Sequence, residues 1–127
     1  FCKIGLVPDS GGTWFLPRLI GMARAKQLAL LGEPLSAEQA LAWGMIYRVT
    51  DDEALRDEAL VLARELATQP TVGLGYIKRA LNHSVSNSFD EQLILERDLQ
   101  SLAGRTDDYR EGVAAFMAKR PAEFKGR

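Results

Sequence analysis

The run Ile4-Gly5-Leu6-Val7-Pro8-Asp9-Ser10-Gly11-Gly12-Thr13-Trp14 sets one carboxylate between a proline and a glycine pair, beside apolar neighbours. Two roles fit Asp9. As a turn or N-cap aspartate it would accept the orphan N–H groups of a following helix. As a general acid/base it would gain from desolvation, because apolar surroundings disfavour the charged form and raise a carboxylate's basicity toward that needed to move protons on carbon. Residue type alone leaves both open.

Other chemistries find less support. His83 is the only histidine and Cys2 the only cysteine, so no His/Cys metal cluster is expected. A Ser-His-Asp triad would have to use His83, near a helix end, and no Gly-x-Ser-x-Gly elbow is present. The segment Asp9 to Thr13 lacks the lysine of a P-loop and the spacing of a dinucleotide fingerprint. Its glycines and helix start could still hold N–H groups near a polarised oxygen. Asp51-Asp52-Glu53 and Asp107-Asp108 read as acidic helix starts, favoured by the helix dipole, and not as paired catalytic carboxylates. Trp14 and Trp43 read as core aromatics before pocket linings, and Arg18 and Arg24 as structural or surface residues. By type alone, Phe116 is a packing residue and Lys119 a solvated lysine.

The elements that must position these residues are mostly helical. Cys2 to Val7 reads as a short buried strand ended by Pro8, which cannot donate to a ladder. Asp9 or Ser10 is expected to cap a helix made short or kinked by Pro17 and punctuated by Gly21. Ala23 to Leu31 forms the next helix, closed by Gly32. Ser36-Ala37-Glu38-Gln39 is a capping box opening a helix that Gly44 closes, and Met45 to Thr50 reads as a second short strand. Leu55, Ala59, Leu62, Ala63 and Leu66 share one helical face that is expected to be buried. A helix over Thr71 to Asn82 follows, with Leu74, Ile77, Ala80 and Leu81 inward. Ser88-Phe89-Asp90-Glu91 is a second capping box, before a helix with apolar residues on more than one side, the pattern of two neighbours. Thr106 caps a last helix with Val113, Phe116 and Met117 inward, stopped by Pro121.

Composition sets bounds. The chain has 127 residues, a net charge of -1, 46% hydrophobic and 26% charged residues, an ordinary globular profile. The near-neutral balance argues against a nucleic-acid partner. One thiol excludes an internal disulfide and, with no secretory pattern, fits a reducing, cytoplasmic setting. No apolar run approaches the roughly 20 residues of a membrane helix, so no membrane partner is expected. Two isolated strands form no stable sheet. Together with a start at Phe1, they suggest upstream sequence in the natural protein.

The same residues carry a resemblance. Gly5-Leu6-Val7-Pro8-Asp9-Ser10-Gly11-Gly12-Thr13, then Leu16-Pro17-Arg18, Gly21, Ala23-Arg24-Ala25 and Leu31-Gly32, resemble the crotonase (enoyl-CoA hydratase/isomerase) superfamily. Ser36 to Ala40, Trp43 to Ile46, Asp108-Tyr109-Arg110-Glu111-Gly112, Ala115-Phe116 and Lys119-Arg120-Pro121 continue the likeness across the chain. It implies the α/β crotonase/ClpP-like fold, of which this chain would be the C-terminal portion, mostly α-helical with two short strands. Residues 1–50 would end the core, and 51–127 would form a helical region for oligomerisation and for covering coenzyme A.

The resemblance also implies an activity. Family members hold an acyl-CoA thioester between two backbone N–H groups that stabilise an enolate; in the family pattern both donors lie upstream of Phe1. Hydratases use two glutamates, one upstream and one falling near Phe1, which cannot do acid/base work. In several isomerases an aspartate stands at the position of Asp9 and shuttles a proton along the substrate. Within the family, Pro8 to Trp14 most resembles isomerases of phenylacetate degradation that convert an epoxidised phenylacetyl-CoA to the seven-membered oxepin-CoA. Asp9 is thus the expected catalytic residue. Phe116 and Lys119 match positions that meet the adenine end of CoA, as a stacking ring and a phosphate-pairing ammonium. No cofactor is implied beyond CoA within the substrate. The expected partners are that acyl-CoA and other copies of the chain, in a trimer or dimer of trimers. The rival readings are an enoyl-CoA hydratase and a non-catalytic oligomerisation module, with the isolated chain inactive.

Overall fold

The computed structural model describes all 127 residues, Phe1–Arg127. It is all-helical: a 3₁₀ turn, η1 (Cys2–Ile4), then α1 (Gly12–Ile20), α2 (Met22–Leu31), α3 (Ala37–Ala42), α4 (Leu55–Ala67), α5 (Thr71–Ser84), α6 (Phe89–Ala103) and α7 (Asp107–Ala118). Two compact units divide at Leu55 and Arg56.

Neither expected strand is present. Cys2 to Ile4 closes local bonds, Ile4 N–H to Phe1 O at 3.0 Å and Gly5 N–H to Cys2 O at 3.2 Å. Met45 to Thr50 is a run of bends and irregular backbone. The reason is pairing: a strand exists through its ladder, and these two segments find no partner strand in the chain.

In the first unit, α1 packs on α2, and α2 meets η1. Gly21 alone joins the two helices. Its N–H closes α1 on Pro17 O at 3.1 Å, and its carbonyl opens α2 by accepting from Ala25 N–H at 3.1 Å. The corner needs φ 80°, ψ 158°, a backbone state essentially confined to glycine. Ile20 and Ala25 are buried beside it, and Ile20 contributes about 2–3 kcal/mol by leaving water. Pro17 lies inside α1, which continues three residues past it. Gly32 closes α2 in the left-handed conformation. At α3, Ser36 Oγ accepts from Gln39 N–H at 3.1 Å, so the cap forms, without the return bond from Gln39 that a full box requires.

In the second unit, α5 packs on α6. Gln92 of α6 fastens the pair: its Nε2 donates to Ala80 O at 3.2 Å, and its Oε1 accepts from Asn87 Nδ2 at 3.0 Å. The box opening α6 is complete, with Ser88 N–H donating to Glu91 Oε2 at 2.7 Å and Glu91 N–H to Ser88 Oγ at 3.3 Å. The Ser88 N–H first, then the Ser88 hydroxyl, which donates to Glu91 Oε2 at 2.8 Å, hold the Glu91 carboxyl below its ordinary range. Thr106 caps α7 by accepting from Tyr109 N–H at 3.0 Å.

The expected inward faces are largely uncovered. On α4 only Leu62 of the predicted stripe is half-buried; Leu55, Ala59, Ala63 and Leu66 are exposed. Ile77 and Leu81 of α5 are exposed, as are Val113, Phe116 and Met117 of α7. The buried apolar residues are Ile20, Ala25, Ala40, Leu99 and Ala115. Periodicity says which residues share a face; a second layer decides whether that face is covered, and these 127 residues provide none over α4 or the outer side of α7.

Candidate active site

Asp9 stands on the turn that leads into α1. Its carbonyl accepts from Gly12 N–H at 2.8 Å, and its Oδ1 accepts from Ser10 Oγ at 3.2 Å. Ser10 and Gly11 are both left-handed, with φ 52° and φ 83°. That geometry corrects one expectation. The N-cap of α1 is Gly11, with no side-chain cap bond, so neither Asp9 nor Ser10 caps the helix. The Asp9 carboxylate is left over for something else. It is exposed within this chain.

Around the turn lie Ile4, Leu6, Val7 and Phe15, all exposed. An apolar cavity of about 240 Å³ opens between the start of α1 and α2, with Pro8, Gly12, Leu16 and Leu30 in its wall. Pro8, the residue before Asp9, is part of that wall; the Asp9 side chain is not. Trp14 is engaged by Arg18, whose guanidinium lies 3.2 Å from the ring centroid and donates through Nη1 to Trp14 O at 3.0 Å. Arg24 covers Trp43 at 5.0 Å. These contacts stiffen the helices behind the turn and give both arginines structural work.

Phe116 and Lys119 belong to the second unit, Phe116 on the last turn of α7 and Lys119 just past its end. The Phe116 ring is 82% exposed, free to stack on a planar partner. Lys119 takes φ 52°, ψ 41°. Its N–H reaches Phe116 O at 3.2 Å, and Arg120 N–H reaches Ala115 O at 3.1 Å, a Schellman closure with lysine where glycine is usual. A cleft of about 410 Å³ runs past Tyr109, Gly112, Phe116 and Phe124.

Beside it is an arrangement not anticipated from the sequence. Arg120 makes a two-pronged bond to Glu111, Nη1 to Oε1 at 2.6 Å and Nη2 to Oε2 at 2.8 Å, and Glu123 N–H adds a third at 2.9 Å. The Arg120 guanidinium first, then the Glu123 N–H, hold the Glu111 carboxyl down to about 2. One turn earlier, Asp108 is 3% exposed and accepts Lys125 N–H at 2.6 Å and Gly126 N–H at 2.8 Å. Its own N–H donates to Arg127 O at 3.0 Å. The tail after α7 is thereby strapped back along the helix. The i, i+3 spacing of Asp108 and Glu111 shows that they share a face; nothing in it names partners in the tail.

The sequence profile of the enoyl-CoA hydratase/isomerase family matches residues 1–127. The chain belongs to the enoyl-CoA hydratase/isomerase family. Among its relatives, 1,2-epoxyphenylacetyl-CoA isomerase of Escherichia coli K12 is 64% identical over 127 residues, which are 100% of this chain and 48% of that protein. Trans-2-decenoyl-[acyl-carrier-protein] isomerase of Streptococcus mutans is 37% identical over the same 127 residues, again 48% of the relative. A crystal structure of an enoyl-CoA hydratase subunit from Geobacillus kaustophilus superposes with a TM-score of 0.95 at 37% identity, covering 98% of this chain and 49% of that one. The chain thus has the fold of a crotonase portion, and it spans about half the length of the relatives it matches. Across that portion, helices account for all the regular structure.

Proposed function

We propose that this chain carries the proton-transferring carboxylate of an acyl-CoA isomerase, with Asp9 as acid/base. The observation that carries the reading is the geometry of Asp9: a carboxylate released from capping, hydrogen-bonded only to Ser10 in its side chain, on the residue that follows Pro8 of the apolar cleft wall. The 64% identity to 1,2-epoxyphenylacetyl-CoA isomerase supports the corresponding substrate, an arene epoxide of phenylacetyl-CoA, converted to its oxepin isomer.

The chemistry is atom-neutral. The C–C bond shared by the epoxide and the six-membered ring opens, its electrons redistributing into the double bonds of the seven-membered ring. Asp9 takes a proton from the carbon beside the thioester, the electron pair spreads onto the thioester oxygen as an enolate, and the same carboxyl returns the proton to a ring carbon. The enolate oxygen needs two N–H donors, which the family pattern puts in the other half of the enzyme. On this reading the 127 residues alone are inactive. Phe116 and Lys119 receive the nucleotide end of CoA, the ring against adenine and the ammonium against a phosphate. The uncovered apolar faces of α5 to α7 support assembly with further copies, a trimer or dimer of trimers.

The test is Asp9→Asn in the full-length protein. Isomerase turnover should fall by roughly 10²–10⁴-fold, while the dissociation constant for a non-reactive CoA thioester stays within about twofold, since Asn keeps the size and most of the polarity. Turnover retained by the Asn variant would refute the assignment. Hydration of an enoyl-CoA by the wild-type protein at a rate matching isomerisation would favour the hydratase reading instead.

A further inference from the structure

Lys119 presents a contradiction that the strap resolves. A lysine in the left-handed region is disfavoured because its Cβ crowds the following carbonyl, and glycine would close α7 without that strain. Yet lysine stands there, and its ammonium makes no ion pair or hydrogen bond. Its neighbour Arg120 is fully engaged with Glu111, and Arg127 approaches Asp107 at 3.8 Å. One cation at this helix end is therefore locked and the adjacent one kept free.

The backbone that fixes Lys119 is held from both sides. On one side are the Schellman bonds to Ala115 and Phe116. On the other, Arg120 is pinned by Glu111 and also donates to Pro121 O at 3.0 Å, while Asp108 holds the chain further on at Lys125 and Gly126. We propose that Glu111 and Asp108 are positioning residues. By fastening the tail to α7 they keep the Lys119 backbone in its strained conformation, so that the direction in which its unpaired side chain leaves the helix end, toward a phosphate of the substrate's nucleotide, is fixed before binding. This rests on the reading of Lys119 as a CoA contact and adds to it the groups that set its direction. Fixing this backbone in advance lowers the entropy lost on binding, and the effect falls on affinity and not on the chemical step.

The test uses the full-length protein with two substrates of the same acyl group, one on CoA and one on pantetheine, which lacks the nucleotide. Glu111→Gln removes the charged partner of Arg120 while keeping the side chain's size. Arg120→Lys runs in parallel and forfeits the two-pronged bond should the first variant fold poorly. Each is expected to raise KM for the CoA substrate by roughly threefold to tenfold, with kcat unchanged and the pantetheine substrate unaffected. In a Lys119→Ala background, Glu111→Gln should add nothing, because the two act through one ammonium. A Lys119→Ala variant with a raised KM beside an unchanged Glu111→Gln would overturn the positioning role alone. An unchanged KM in Lys119→Ala itself would overturn the nucleotide reading and this proposal with it. Equal loss of kcat on both substrates would mark Glu111 and Arg120 as structural only.

Discussion

Replacing Asp108 by Asn should loosen the tail to a calculable degree. The carboxylate is 3% exposed and accepts two backbone N–H groups, Lys125 at 2.6 Å on one oxygen and Gly126 at 2.8 Å on the other. Asn offers one oxygen and one NH₂. Whichever way the amide turns, one tail N–H keeps an acceptor, now neutral, and the other faces a donor. Weakening the first bond costs about 0.5–1 kcal/mol, and leaving the second unmade about 1–3 kcal/mol. The tail can peel away and recover solvent, which caps the loss near 2–3 kcal/mol. Hydrogen exchange of the amides at 125 and 126 reads that opening directly and should accelerate by about 30- to 150-fold. Asp108→Ala, which removes both acceptors without adding a donor, should accelerate them comparably. Exchange within threefold of wild type in Asp108→Asn would refute the view that these two bonds hold the tail.

Three further outcomes follow from the same structure. Glu111, depressed from 4.5 to about 2 by Arg120 and Glu123, contributes stability that is complete above pH 4.5 and is lost as pH falls toward 2; a carboxyl NMR titration with its midpoint near 4.5 would contradict this. Ser88→Ala removes the hydroxyl half of a complete capping box and should destabilise the second unit by about 1 kcal/mol in urea unfolding, whereas an unchanged midpoint would mean the box is dispensable. Gly32→Ala should cost about 1–2 kcal/mol for its φ of 61° and more for a Cβ placed 2.8 Å from Cys2 Sγ; pairing it with Cys2→Ala should recover only the second part in thermal unfolding, and full recovery would show that the backbone is unstrained.

What the sequence made legible was local. Ser88 with Glu91, Thr106 with Tyr109, and the closures at Gly32 and Gly44 lie within one helical turn, so residue types at fixed offsets identify them. The two strands failed because their existence depends on a neighbour strand, not on the β-branched and aromatic residues that suggested them. The inward faces of α4, α5 and α7 failed for a related reason, since spacing gives a common face and says nothing about a cover. At the site, Asp9 was legible as a lone carboxylate on a turn, and Arg18 and Arg24 as structural or surface residues, though not their seats on Trp14 and Trp43. Exposure of the carboxylate was not legible, nor was the strap, in which Glu111 meets Arg120 and Asp108 meets Gly126 across intervals that carry no periodic signal.

The single-residue corner at Gly21 has a mechanical consequence for Asp9. Helix α1, with nine residues, is an arm of about 13.5 Å. The corner lies at one end of it and the carboxylate just beyond the other. A swing of about 10° at the corner would carry the carboxylate through about 2 Å, and a misplacement of about 1 Å already suffices to slow an oriented reaction by about a hundredfold. The aim of the carboxylate is therefore set by a torsion twelve residues away in sequence, in a backbone state that no larger residue can hold. Gly21 touches nothing at the cleft, yet it is the fulcrum about which the Asp9 turn is aimed.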